Sequence, residues 1–308
     1  MSKGIIYTPR VRKSPFFEET IKSGATNFTT YNHMTMPVGY TTPEQEYHSL
    51  INDVTLWDVA AERQVEIIGE DAAKFVQYMT PRNLSTFKDG FCRYAFMTDE
   101  DGGIINDPLI LKFNENKFWY VQADGPFEEW LLAHTSNFDV KISDPKSRVL
   151  QIQGPASIEI MKAASNGKID ENMPYFRSGF FDLGGQTLYV SRTGFTNELG
   201  FEIYSDGFKT DHLALWDHLI KCGKPHGMDF SPTRAMTLRR IEAGIFGNLT
   251  DIDTTMTPFE AGLEFFVNME KGDFIGRDAL LDKDRRPCLF GLTCKTETPV
   301  SGSKVMDG

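Results

Sequence analysis

The chain has 308 residues, 40% of them apolar and 24% charged, a globular composition with room for two or three modest cores and unlike that of a disordered, collagenous or coiled-coil chain. Its formal charge of -11 argues against nucleic acid, since binding a phosphate backbone needs a basic footprint. No apolar run is long enough to span a bilayer, the amino terminus has no signal-peptide stretch, and Cys92, Cys222, Cys288 and Cys294 are scattered without disulfide or zinc spacing. The expectation is a soluble protein of the reducing cytoplasm with no metal and no membrane partner.

After an irregular start, PEQEYHSLIN (Pro43–Asn52) reads as a helix, and QVEIIG from Gln64 alternates as a half-buried strand does. A helix over 71–79 follows, then two strands, FCRYAFMTD and GGIINDPLILKF, around the turn DEDGG. KFWYVQAD is a further strand, followed by a helix at Phe127–Ala133. A second unit begins near Asp144. Its strand VLQIQ stops at Gly154-Pro155, a helix runs over Ser157–Ala164, TLYVSRT and LGFEIYS flank the loop GFTNE, and a helix covers 210–222. From Thr257 a third region is expected, with strands at LEFFVNM and PCLFGLTCK around a short helix at Arg277–Leu281. The closing TPVSGSKVMDG reads as a turn of a β-rich domain whose later strands are missing. Strand-helix-strand units with antiparallel pairs predict an α+β protein.

Three places could carry chemistry. Asp107, in GGIINDPLI, is an acid within an apolar strand, costly to bury unless bonded; the plainer alternative is a turn-capping aspartate. In TGFTNELGFEIY, Glu202 and Tyr204 project from one strand face, and a carboxylate beside an aromatic suits a flat heterocycle with paired N–H donors. The alternative is a solvent-facing edge residue. In RAMTLRRIEAG, Arg234 and Arg240 stand where a guanidinium fork can meet an anionic tail, or where an exposed helix face carries salt bridges. The six histidines show no metal-ligand spacing, and there is no nucleophile elbow, Walker loop or dinucleotide fingerprint. The residues alone lead to a multi-domain α+β protein with one polar pocket, and to no substrate.

In order along the chain, YNHMTMPVGY, LINDVTLWDV, RYAFMTDEDGGIIND, VLQIQGPAS, TGFTNELGFEIY, LRRIEAG and DFIGRDAL resemble the folate-binding aminomethyltransferase family, typified by the glycine cleavage T-protein. The resemblance implies a three-domain ring, or cloverleaf, around a central folate channel. Residues 1–52 with 144–246 would form the first folate-binding domain, 53–143 the second, and 247–308 a β-rich C-terminal domain that is incomplete. It implies tetrahydrofolate as the acceptor cosubstrate. Asp107 would stand at the reactive pterin nitrogens, Glu202 at the pterin edge, Tyr94 in the channel wall, and Arg234 or Arg240 at the folate. Phe195 stands where the T-protein has Tyr, and Gln122 where it has Asn.

The stretches WDVAAERQVEI and GFFDLGGQTLYVSRTGFTNELGFEIY are most similar to the branch of the family that demethylates dimethylsulfoniopropionate. That implies transfer of a methyl group from sulfonium sulfur to N5, with Tyr204, Tyr31, Phe17 and Trp57 as candidates to face the cation, no lipoyl carrier protein, and a homodimer left open. The alternatives are T-protein aminomethyl transfer, a related N- or O-demethylase, and a non-catalytic folate-binding assembly factor.

Overall fold

A computed structural model describes residues 10–294, 300 and 302–304. Two sheets frame it. The larger has six strands in the order Ser178–Leu183, Gln186–Ser191, Gly200–Asp206, Ser147–Gln153, Thr55–Asp58 and Asp229–Phe230, all antiparallel except the last pair. The smaller orders Lys141–Ser143, Arg63–Ile68, Lys117–Gln122, Leu109–Asn114 and Phe91–Tyr94, antiparallel throughout. The α+β architecture expected from the sequence is present.

Each sheet buries one face under helices, so each has its own core. Leu56, Leu150, Ile152, Phe201 and Ile203 pack with Leu215 and Trp216 of the His212–Gly223 helix. Val65, Ile67, Ile110 and Tyr120 pack with Phe75, Phe127 and Leu131 of the Ala72–Tyr78 and Phe127–Ala133 helices. Helix starts follow local chemistry: the Thr42 hydroxyl accepts from Gln45 N ahead of Pro43, and Asp211 accepts from Ala214 N.

The structure corrects several expectations. The start is less irregular than its sequence implies, because a helix at Phe17–Lys22 precedes a hairpin of Asn27–Tyr31 with Met34–Gly39. Asn32 and His33 both take positive φ there, the geometry a two-residue hairpin turn demands. Thr55–Asp58, assigned above to the second domain, is buried along its length and pairs with Ser147–Gln153 in the six-stranded sheet. The strands expected at 263–269 and 287–295 are not formed among the described residues. Glu264–Phe266 is a single 3-10 turn, and Cys288 N and Leu289 N both donate to Glu260 O, a loop-to-loop contact that offers no ladder to extend. A small cluster of Phe96, Ile104, Ile252, Ala261 and Leu263 is the core of this region. The amino-terminal residues 1–9 and most of TPVSGSKVMDG lie outside the described residues.

Candidate functional site

Asp107 occupies a break between two sheets. Ile104–Asn106 pairs with Met97–Thr98 in a two-stranded sheet, whereas Leu109–Asn114 belongs to the five-stranded one. Pro108 lacks the N–H that would continue either ladder, so the chain turns from one sheet to the other at Asp107. Tyr94 Oη donates to Asp107 Oδ2 at 3.2 Å. Burial pushes the Asp107 carboxyl up to about 7, against the opposing pull of the Tyr94 hydrogen bond and of the Arg240 charge. An acid held near neutrality can carry a proton or release it at ordinary pH.

Glu202 is central in the Gly200–Asp206 strand, 5% exposed, in register with Ser191 on one side and Gln151 on the other. It accepts from Thr193 Oγ1 at 2.6 Å, Tyr204 Oη at 2.6 Å, Gln151 Nε2 at 2.9 Å and Ser191 Oγ at 3.4 Å. The period-two expectation that Glu202 and Tyr204 share a face therefore holds. Burial raises the Glu202 carboxyl, and these donors draw it back. The preceding loop is glycine-bracketed because a Cβ at Gly194 or Gly200 would lie 2.2–2.4 Å from the Gln153 side-chain amide. That amide accepts from Thr196 Oγ1 at 2.9 Å and donates to Thr193 O at 3.2 Å, fixing the loop that carries Thr193 and Phe195.

Three side chains at the site escaped the sequence reading. Gln151, completely buried, donates through Nε2 to Glu202 and also to Glu62 Oε1, at 3.1 Å. Glu62 sits in the turn after Thr55–Asp58, where the chain leaves the six-stranded sheet for the five-stranded one. Asp124 closes the far side, donating from its N–H to Tyr31 Oη at 3.0 Å while its carboxylate accepts from Asn32 N. The signal for Gln151 was VLQIQ, where a strand buried from Val149 to Gln153 includes two glutamines; polar groups so placed must have partners. Glu62 and Asp124 lie in turns and give no comparable signal.

The other predicted residues divide. Tyr31 is packed beside the first core with its hydroxyl accepting from Asp124 N, and burial first, then the Glu62, Asp107 and Asp124 charges, push that hydroxyl up. Arg240 pairs with Asp251, donates to Ile245 O and lies 5.9 Å from the Phe195 ring. Gln122 is buried and donates to Asn32 Oδ1, Ala123 O and Gly125 O, while its own Oε1 is unpartnered among the described residues. Tyr204 reaches the site through its hydroxyl only, since its ring packs near Trp119 and Tyr189. Trp57 is 1% exposed, inside the six-stranded sheet, with its indole N–H on Thr55, because every position of its strand is buried. Phe17 lies on the amino-terminal helix against Phe28, with the Lys13 ammonium over its ring.

Arg234 is not brought to the site. Its guanidinium bonds the buried Glu46 at 3.0 Å and Thr41 O at 3.1 Å, and a Cβ at Gly39 would collide with it. Glu46 also accepts from Tyr40 N and Thr41 N, so the pair ties the Pro43–Asn52 helix to Thr233–Glu242. Arg234→Ala should lower stability by about 1–3 kcal/mol, less than a fully buried pair would lose because two N–H donors remain. Folate affinity should stay within twofold. Denaturant melts and a folate titration read the two, and a large affinity loss at full stability would return Arg234 to the site.

Two clefts flank this junction. One of about 350 Å³ is walled by Tyr94, Phe91, Cys92 and Phe176, with Arg82, Lys88 and Arg93. The other, about 330 Å³, includes Asn106, Asp124, Glu129 and Trp130. Among the described residues no group of three His, Cys, Asp or Glu side chains is placed to hold a metal ion, and no helix is long and apolar enough to cross a membrane.

Comparison with known proteins gives the family. A family model described as the GCVT N-terminal domain matches residues 16–271. Dimethylsulfoniopropionate demethylase of Ruegeria pomeroyi is 32% identical over 276 residues, 89% of this chain and 74% of that protein. An aminomethyltransferase of Clostridium botulinum is 35% identical over 255 residues, 79% of this chain and 68% of that protein. In fold, the crystal structure of glycine cleavage system aminomethyltransferase T from Bartonella henselae matches with a TM-score of 0.79, covering 88% of this chain and 74% of that one at 24% identity. With the family model spanning most of its length, the chain belongs to the GCVT family of folate-dependent aminomethyltransferases and is a one-carbon transferase.

Proposed function

We propose that the protein transfers a methyl group from the sulfonium of dimethylsulfoniopropionate to N5 of tetrahydrofolate, giving 3-(methylthio)propionate and 5-methyltetrahydrofolate. The observation that carries this is Asp107, an acid poised near neutrality at the meeting of two sheets and hydrogen-bonded to Tyr94. The sulfonium donor is supported by the similarity to the Ruegeria enzyme.

Tetrahydrofolate supplies the accepting lone pair on N5. Glu202, held by Gln151, Ser191, Thr193 and Tyr204, takes the N–H edge of the pterin, and Tyr94 lines the approach. Arg82, Lys88 and Arg93 suit the acidic tail, since anions favour a cleft with several cations. Sulfur keeps the electron pair of the breaking bond, so no redox partner is involved. Asp107 accepts the proton that N5 sheds on methylation. Holding the two reactants in line removes much of the entropic barrier. Excluding water helps as well, because water stabilises the localised sulfonium charge more than its spread-out transition state.

The test is an anaerobic incubation of the purified protein with tetrahydrofolate and dimethylsulfoniopropionate and no carrier protein, with both products followed by mass spectrometry. Equimolar appearance is expected. Folate binding without either product would sink the sulfonium assignment. Product only with a lipoyl carrier and a glycine-derived aminomethyl group would install the aminomethyltransferase reading instead.

A further inference from the structure

The two clefts beside Asp107 carry opposite charge. One is walled by Tyr94, whose hydroxyl donates to Asp107, and it holds Arg82, Lys88 and Arg93 with no Asp or Glu in its wall. The other is walled by Asn106, the neighbour of Asp107 in the chain, and holds Asp124 and Glu129 with no Lys, Arg or His. Among the described residues none of these five charged side chains is in a salt bridge. The second cleft is otherwise mostly apolar, with Ile105, Phe127 and Leu249 in its wall and a volume of about 330 Å³.

Three polar groups of this second cleft are fixed in place yet unanswered among the described residues. Asn106, 2% exposed, accepts from Ala123 N through Oδ1 at 3.2 Å, which sets the amide and leaves Nδ2 without an acceptor. The Trp130 indole N–H is buried with no acceptor either, on a ring packed against His134 at 4.4 Å. Asp124 is held through Oδ1, which accepts from Asn32 N and Gly125 N at 3.0 Å each, while its Oδ2 has no partner. Buried donors without partners are costly, so the cleft lacks an acceptor for two N–H groups and a cation for its carboxylates. One small zwitterion supplies both. Neutral N–H donors can take its carboxylate, while Asp124 and Glu129 repel a ligand of net negative charge.

We propose that the cleft beside Asn106 is the methyl donor's site and reads the donor as a zwitterion: Asn106 Nδ2 and the Trp130 N–H take its carboxylate, and Asp124 balances its cationic head. The proposal rests on the demethylase reading above and gives the donor a place separate from the basic cleft assigned to the folate tail. The two clefts then sort the reactants by charge, the net anion to Arg82, Lys88 and Arg93 and the net-neutral zwitterion to Asn106, Trp130 and Asp124.

Three non-reacting probes separate the two ends: 3-(trimethylammonio)propionate carries both charges, propyltrimethylammonium only the cation, and 4,4-dimethylpentanoate only the carboxylate. Calorimetric titration of the full chain should show the zwitterion bound at least tenfold more tightly than either single-charge probe. Asp124→Asn still accepts from Asn32 N and Gly125 N, and should cut the preference over 4,4-dimethylpentanoate at least fivefold while leaving that over propyltrimethylammonium within twofold. Trp130→Phe should do the converse, cutting the preference over propyltrimethylammonium at least threefold. Asn106→Asp, isosteric and still able to accept from Ala123 N, should cut that same preference further, and it serves if Trp130→Phe does not fold. No preference in the parent, or folded variants that leave their own preference unchanged, overturns the proposal. Turnover of dimethylsulfoniopropionate by the parent is read separately. If it proceeds while both preferences ignore the variants, the demethylase reading stands and this cleft is not the donor's place. Preferences as expected without turnover keep the zwitterion site and sink the sulfonium donor. If the parent neither turns over the sulfonium nor binds any probe, both fail.

Discussion

Asp107→Asn should make the ligand-free protein more stable at pH 8 while slowing turnover about 100- to 1000-fold. The stability half follows from the position of the carboxyl. In the folded chain it titrates near 7, against 3.8 in the unfolded chain. Between those values the folded protein holds a proton that the unfolded one has lost, so the stability contributed by this group is fully present below about pH 4 and disappears as pH rises through 7. Above that, the buried charge costs on the order of 1–3 kcal/mol, discounted from the full shift because Asp107 keeps some exposure. Asparagine never ionises and can still accept from Tyr94, so it avoids the cost. Asp58, buried with Oδ2 unpartnered and likewise raised to about 7, adds its own fall to the parent curve. The difference between variant and parent therefore isolates Asp107. Thermal melts from pH 4 to 8 should show that difference growing with pH. A variant less stable than the parent at pH 8 would contradict the burial, and turnover within a few-fold would remove Asp107 as the proton acceptor.

Much of this site could be read along the chain, because it lies on strands whose side-chain alternation is short-range. Glu202 and Tyr204 were placed on one face by counting in twos, and Asp107 stood out as an acid among Ile104, Ile105, Leu109 and Ile110. What escaped was decided between elements. Gln151 meets Glu202 only because Ser147–Gln153 lies beside Gly200–Asp206 in that register, and a one-residue slip would turn it to the other face. Glu62 and Asp124 sit in turns where neither helical nor strand periodicity applies. Arg234 and Arg240, six residues apart on one helix, are indistinguishable in sequence; only packing sends one to Glu46 and the other toward Asp251 and Phe195. Phe17, Trp57 and the ring of Tyr204 were drawn in as aromatics, and tertiary packing committed them elsewhere. The expected strands after Thr257 failed for a related reason, since apolar runs such as LEFFVNM become strands only where a neighbouring strand accepts their hydrogen bonds.

Glu202→Ala should weaken folate binding about 100- to 1000-fold, the loss of two charge-assisted hydrogen bonds worth about 1.5–2 kcal/mol each. The fold should survive. The substitution strands the Thr193 and Tyr204 hydroxyls and half of the Gln151 N–H, but it also relieves the repulsion with Glu62, so the net change in stability should stay within about 1–2 kcal/mol. Glu202→Gln separates shape from charge. Its amide fills the same space and can still accept through one oxygen, so its affinity should fall between alanine and the parent. Titration with 5-methyltetrahydrofolate, the product and so inert in the forward direction, measures all three proteins, with far-UV circular dichroism to show that each is folded. If alanine binds as well as the parent, the pterin edge is held elsewhere, and the donors on Glu202 serve only to keep a buried carboxylate charged. If alanine loses affinity and glutamine does not, a neutral acceptor suffices.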